Sequence, residues 1–184
     1  AKIDGDVQQL LAHVPVQQVV GFELFCGHRF KVNGDTLIPR PETEDLVQLA
    51  TEKCCGALSN ILDVGTGSGC IAISLAKALP LARVAAWDIS EGALQVAQEN
   101  ATTLGARVDF ELRDLLKEAD APTLAPQSLD AIVSNPPYIP EEEAQTMEAQ
   151  VVNHEPHSAL FVPNDNPLLL YHALAQLGWH ALRP

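Results

Sequence analysis

An α/β domain built on a parallel sheet with helices on both faces is the fold this sequence predicts. Three observations lead there. Short apolar segments of strand length alternate with segments of helical period between residues 60 and 134. The first strand runs directly into a turn with glycine at 65, 67 and 69. The polar residues capable of chemistry then gather at the strand tails, where sheets of this kind bind their ligands.

The opening residues fit the tail of a helical segment. Phe22, Leu24, Phe25, Phe30 and Val32 predict a short hairpin turning near Gly27. Pro39-Arg40-Pro41-Glu42-Thr43-Glu44 opens a helix through Leu46, Val47, Leu49 and Ala50, since Pro41 and the early acids suit a helix start. Asn60-Ile61-Leu62-Asp63-Val64 is the first strand of the sheet, and residues 70–79 form a helix stopped by Pro80. Arg83-Val84-Ala85-Ala86-Trp87 is the second strand. Ser90 caps the helix behind it, which carries Ala93, Leu94, Val96 and Ala97 and stops at Gly105. Arg107-Val108-Asp109-Phe110-Glu111 and Leu129-Asp130-Ala131-Ile132-Val133-Ser134 complete the set of four strands. A last helix is expected from residue 167 to about residue 181, just before another strand should begin. An open sheet edge there invites aggregation, so the chain reads as a fragment of a longer protein.

Composition narrows the function classes. The chain has 184 residues, one domain's worth, and no window approaches the ~20 apolar residues of a membrane span. Its polar, acidic start lacks the features of a signal peptide, and a soluble, cytoplasmic protein without a membrane partner is expected. A net charge of −13 with scattered Lys and Arg argues against direct nucleic-acid binding. Cys26, Cys54, Cys55 and Cys70 show no Cys-x-x-Cys spacing and read as reduced thiols. His154-Glu155-Pro156-His157 invites a metal reading, but no second ligand cluster accompanies it, and no metal is expected. Sequence does not set the oligomeric state; a monomer is the default.

Asp63-Val64-Gly65-Thr66-Gly67-Ser68-Gly69 reads D-x-G-x-G-x-G. Such glycines permit a tight strand-to-helix turn and let a ligand approach the backbone. A dinucleotide fingerprint would need glycine where Cys70 stands, and the Gly-Lys-Ser/Thr of a phosphate loop is absent. Asp88 closes the second strand, where a carboxylate can accept from both hydroxyls of a ribose. Nicotinamide dinucleotides and S-adenosylmethionine both carry that ribose, so Asp88 does not choose between them. Asp114 and Leu115, after the third strand, suit an adenine: an acceptor for its amine and an apolar cover for its ring.

Asn135-Pro136-Pro137-Tyr138 carries the most information. It follows a buried strand and so sits beside the ligand crevice. Two prolines fix φ and remove two donors, leaving a rigid turn. The Asn135 side-chain oxygen and the Pro136 carbonyl can accept both hydrogens of an NH2 group, and Tyr138 offers a flat face to a planar substrate. An amide nitrogen is a weak nucleophile because its lone pair is delocalised. Two acceptors hold it in line with a methyl donor and favour the positive charge that develops, without a metal or strong base. Adenine presents a similar planar NH2 group, so these residues leave adenine and glutamine both open.

Through these motifs the chain resembles the class I, Rossmann-like, S-adenosylmethionine-dependent methyltransferases that act on amino groups. Leu37-Ile38-Pro39-Arg40-Pro41-Glu42-Thr43-Glu44 and Glu155-Pro156-His157-Ser158-Ala159-Leu160 resemble one branch, the HemK/PrmC protein-(glutamine-N5) methyltransferases. The similarity runs from about Val16 to the end of the chain. It implies transfer of a methyl group from S-adenosyl-L-methionine to the glutamine of a Gly-Gly-Gln tripeptide in class 1 peptide-chain release factors. It further implies that Gly65, Thr66, Gly67, Ser68, Gly69 and Asp88 bind the cofactor, with Leu115 over the adenine. Asn135 would touch cofactor and substrate, while Pro136, Pro137 and Tyr138 complete the glutamine pocket. On this resemblance residues 1–36 are the tail of an N-terminal helical domain plus a linker hairpin. Residues 37–184 are the catalytic domain, short of its C-terminal strands. The neighbouring readings are a glutamine methyltransferase of a ribosomal protein, an adenine-N6 methyltransferase of DNA or RNA, and a binding domain that kept the fold without catalysis.

Overall fold

The structure, a computed structural model, describes residues 2–55 and 58–184. Helices α1 (Lys2–Leu11) and α2 (Val16–Val20) lead into the hairpin β1 (Phe22–Phe25) and β2 (His28–Lys31). Then come α3 (Thr43–Cys54), β3 (Asn60–Val64), α4 (Cys70–Ala78), β4 (Arg83–Asp88), α5 (Glu91–Leu104), β5 (Asp109–Leu112), α6 (Leu115–Asp120) and β6 (Ala131–Ser134). Strand β7 (Ile139–Pro140), helix α7 (Ala149–His154), strand β8 (Phe161–Val162) and helix α8 (Leu169–Ala181) follow.

The central sheet has the order β5-β4-β3-β6, and every pairing in it is parallel. Successive strands step outward from β3 to β4 to β5, and the chain then returns across β3 to place β6 on its other side. The switch point therefore lies between β3 and β6, where open sheets of this kind form a ligand crevice. Strand β3 alternates as a strand buried on both faces must. Ile61 packs with Val47, Ile73, Leu75 and Val84 on the face covered by α3 and α4, whereas Leu62 and Val64 pack with Trp87, Leu177 and Ala181 beneath α8. Helices thus cover both faces, as predicted.

The hairpin turns at Cys26 and Gly27, both with positive φ (47° and 72°), as a two-residue turn between strands of right-handed twist demands. Of its apolar residues, Phe25 and Phe30 enter the main core and are buried against one another, edge to face. Buried Asn100 of α5 fastens the hairpin to the glycine turn. It accepts from the Lys31 N–H (2.7 Å) and donates to the carbonyls of Lys31 (3.0 Å) and Ser68 (2.8 Å).

Element boundaries moved where partners decide them. The helix expected to open at the Pro39–Pro41 string begins at Thr43, because the preceding residues form a turn in which Thr43 and Glu44 donate to the carbonyls of Arg40 and Pro41. The third strand, expected from Arg107, begins at Asp109, where pairing to Ala85 of β4 starts. Ser90 and Gly105 bound α5 as expected. The Ser90 hydroxyl accepts from the Ala93 N–H, and Gly105 takes the left-handed conformation. Among the described residues no helix is long and apolar enough to cross a membrane.

Candidate active site

The crevice, of about 250 Å³, opens where the strands end. Val64 and Ser134 are register partners on β3 and β6, and the Ser134 hydroxyl donates to the Val64 carbonyl at 2.7 Å. The next residues along the two strands, Gly65 and Asn135, therefore flank the switch point from either side. Both line the crevice, together with Gly67, Asp88, Asp114, Leu115, Pro136 and Pro137. Parallel pairing brings together residues that lie up to 72 positions apart.

The three glycines have two different tasks. Gly65 and Gly67 adopt positive φ (72° and 55°), and a Cβ on either meets nothing within 4 Å. Their missing side chains leave open crevice in which a ligand can lie against the backbone. Gly69 also has positive φ, but a Cβ there would sit 2.9 Å from Ile73 Cδ1 and 3.1 Å from Ala97 Cβ. It serves the junction between α4 and α5. Thr66 and Ser68 are likewise turned into the protein. The Thr66 hydroxyl donates to Asp63 Oδ2 at 2.7 Å, and Ser68 offers its carbonyl to Asn100. Of the glycine-turn residues predicted to bind a ligand, the structure brings Gly65 and Gly67 to the crevice and leaves Thr66, Ser68 and Gly69 behind it.

Asp88 is held by the backbone. Its Oδ2 accepts from the Gly67 N–H (2.8 Å) and its Oδ1 from the Ser90 N–H (2.9 Å). Each carboxylate oxygen has a second lone pair, so both can still accept from a vicinal diol. Burial raises the Asp88 carboxyl above its usual range, against the lowering by the Ser90, Gly67 and Ile89 N–H groups. Asp114 caps α6, accepting from the Leu116 N–H at 3.0 Å, and so presents Leu115 and Leu116 to the crevice. Arg113 braces that turn by ion pairs to Glu111 (2.6 Å) and Glu118 (2.7 Å).

Tyr138 is not part of the crevice wall. The rigid Pro136-Pro137 turn carries it outward, where it is 55% exposed. The wall also contains residues to which sequence reasoning gave no role at the site, among them Asp35, Leu37, Trp87, Arg113, Pro156, Ser158, Ala159 and Leu170. Trp87 and Arg113 could have been found by their places next to Asp88 and Asp114 at strand ends. Leu37 and the residues after Glu155 belong to strings that were conspicuous without having an assigned task. Leu170, on α8, carries no local signal.

Asp63 stands behind the turn, fully buried, with Oδ2 also accepting from the Ala72 N–H at 3.2 Å and Oδ1 without a hydrogen-bond partner. Burial pushes its carboxyl up to about 7, opposed by the Thr66 and Ala72 hydrogen bonds and assisted by nearby Asp88. Folding therefore takes up a proton at Asp63 between the ordinary carboxylate range and neutrality. The associated stability is present in acid and lost as pH rises towards 7. Asp63→Asn keeps an acceptor for both donors and removes the charge. In urea unfolding, the wild type is expected to lose roughly 2 kcal/mol relative to this variant between pH 5 and pH 7. A difference that stays flat over that range rejects a protonated Asp63.

Among the described residues no group of three or more His, Cys, Asp or Glu is placed to hold a metal ion, and the cysteines there are free thiols. Burial pushes the Cys70 thiol up to about 12, so it provides no thiolate beside the crevice.

A parallel sheet with a glycine turn at one strand end, a backbone-held carboxylate at the next and a rigid Asn-Pro-Pro turn across the switch point defines a domain of the class I methyltransferase type. The chain belongs to the methyltransferase small domain family, whose model matches residues 43–160. It is 46% identical over 183 residues to the release factor glutamine methyltransferase of Bacteroides thetaiotaomicron, a match covering all of this chain and 64% of that protein. It is 49% identical over 152 residues to the protein of the same name from Bacillus subtilis, covering 80% of this chain and 52% of the relative. The chain thus spans less than two thirds of the length of these relatives. Among solved structures, the hMettl16 catalytic domain shares the fold with a TM-score of 0.57 at 16% identity, over 82% of this chain and 57% of that one.

Proposed function

We propose that the full-length protein transfers a methyl group from S-adenosyl-L-methionine to the side-chain amide nitrogen of the glutamine in the Gly-Gly-Gln tripeptide of peptide-chain release factors, in the cytoplasm. The observation that carries this reading is the crevice wall in which Asn135 and Pro136 face the Gly65–Gly67 cradle across the β3–β6 switch point. The shared name of the relatives supports the choice of substrate, as does a net charge of −13, which disfavours a nucleic acid.

In this reading Gly65 and Gly67 let the cofactor lie against the backbone, Asp88 accepts from its ribose hydroxyls, and Leu115 covers its adenine beside Asp114. When bound, S-adenosylmethionine supplies an electrophilic methyl group on a sulfonium. Asn135 Oδ1 and the Pro136 carbonyl accept the two hydrogens of the glutamine amide. They fix the direction of the nitrogen and favour the positive charge it gains. The nitrogen would gain the methyl group as the methyl–sulfur bond breaks with its electron pair on sulfur, leaving a neutral thioether, and would then shed one proton to solvent, so no strong base is needed. Buried Pro136 and half-buried Pro137, having no N–H, put no donor in competition with the substrate's hydrogens.

The test is incubation of full-length protein and S-adenosylmethionine with a release factor, followed by peptide mass spectrometry. One added methyl on the Gly-Gly-Gln glutamine is expected, with ribosomal protein and adenine-containing oligonucleotide left unmodified. Methylation of either comparison substrate in place of the release factor rejects the substrate assignment. Absence of a saturable S-adenosylmethionine site in calorimetry rejects the enzyme reading altogether.

A further inference from the structure

We propose that Thr43 is a positioning residue for Asn135, an inference that rests on the amide-methylating role proposed above. A side-chain amide has an acceptor end and a donor end. Asn135 can receive a substrate hydrogen only while Oδ1 faces the crevice, and Nδ2 must then find an acceptor in the protein. Thr43 Oγ1 is that acceptor, 3.3 Å from Asn135 Nδ2 and 92 positions away in the chain. Thr43 is itself buried, at 8% exposure, so water does not readily substitute for its hydroxyl.

Thr43 is in turn tied through Arg40 to one buried carboxylate. It is the first residue of α3, and its N–H donates to the Arg40 carbonyl at 3.0 Å. Arg40 Nη2 pairs with Glu155 Oε1 at 2.7 Å, while Arg40 Nη1 donates to the Ile38 carbonyl at 3.1 Å. Glu155 Oε2 accepts from the Ile38 N–H at 2.9 Å. The Glu155 side chain is 1% exposed, and the residues that follow it, Pro156 and Ser158, line the same crevice. The chain of contacts from Glu155 through Arg40 and Thr43 ends on the one side chain whose orientation the chemistry needs. A hydroxyl at position 43 acts through Asn135 and touches neither substrate nor cofactor.

The experiment compares Thr43→Ala, Thr43→Val and Thr43→Ser in the full-length protein. Ala and Val remove the oxygen; Ser keeps it and removes only a methyl group. The first two are expected to lower kcat for the release factor by at least about 10-fold, with KM and cofactor Kd within about twofold of wild type. Thr43→Ser is expected to stay within about twofold in kcat. If Val does not fold, the Ala–Ser pair differs by the same oxygen. In 1H–15N spectra the Asn135 side-chain NH2 pair, identified by its absence in Asn135→Ala, is expected to move in Thr43→Ala and to stay in place in Thr43→Ser. Wild-type kcat in Thr43→Ala, an equal fall in Thr43→Ser, or an unmoved NH2 pair overturns the proposal. The spectral comparison needs no substrate, so an unmethylated release factor would fault the substrate assignment and leave Thr43 to be judged on the resonances.

Discussion

Full-length protein carrying Asn135→Ala is expected to bind S-adenosylmethionine within about threefold of the wild type, yet to methylate release factor roughly 1000-fold more slowly. The separation follows from where Asn135 stands. The glycine cradle and Asp88 belong to the tails of β3 and β4, and their contacts run among themselves: Gly67 N–H to Asp88, and Gly65 N–H to the Trp87 carbonyl at 2.9 Å. Removing a side chain after β6 disturbs none of these. What it removes is one of two acceptors for the substrate's amide hydrogens, leaving the Pro136 carbonyl alone. A single remaining contact lets the NH2 group pivot and supports less of the developing charge. A 1000-fold fall corresponds to about 4 kcal/mol of transition-state stabilisation.

Folding should be little affected, because among the described residues the Asn135 side chain makes a single 3.3 Å hydrogen bond, worth about 1 kcal/mol. Single-turnover kinetics beside calorimetry make the comparison. Retention of a tenth or more of wild-type activity sinks the two-acceptor mechanism. Loss of cofactor binding in step with activity would recast Asn135 as part of the cofactor wall.

Much of this site was legible because strand ends concentrate it. A glycine pattern after β3 and acids after β4 and β5 are local signals, and parallel pairing with an expected switch point says they converge. Local pattern could not say which way each residue of the turn faces. Gly65, Gly67 and Gly69 look alike in sequence, yet Ile73 and Ala97 reserve the third for helix packing. The side chains of Thr66 and Ser68, expected among ligand contacts, are buried behind a tight turn, where the Thr66 hydroxyl donates to Asp63 and Ser68 gives its carbonyl to Asn100. Nor could local pattern say that Tyr138, expected to complete the substrate pocket, lies outside the crevice lining and is exposed. The hairpin was legible from Phe25 and Phe30, but nothing local says which distant core receives them. The opposite wall, Leu37 with Pro156 and Ser158, depends on a contact 115 positions long between Arg40 and Glu155. No periodicity reports such a contact.

That contact leads to the second large effect, which is on stability. Glu155→Ala is expected to destabilise the full-length protein by about 3 kcal/mol, whereas Glu155→Gln costs about 1 kcal/mol. In the wild type one carboxylate serves the Ile38 N–H and the Arg40 guanidinium. Alanine leaves Ile38, itself buried, with a donor that water reaches poorly, and strips the acceptor from a guanidinium two thirds sheltered by the fold. Glutamine keeps an acceptor oxygen for the N–H and loses mainly the charge on the ion pair. The ranking Ala far below Gln therefore distinguishes an unsatisfied donor from a simple lost ion pair, for which the two variants would fall together. For a domain of this size the alanine variant should melt about 10 °C lower, and denaturant midpoints give the same order. An alanine variant within about 0.5 kcal/mol of wild type would mean that the two strings are held together by packing alone. Because the same carboxylate anchors the turn leading to Thr43, Glu155→Gln should also lower kcat at temperatures where it remains fully folded, which a purely structural brace would not do.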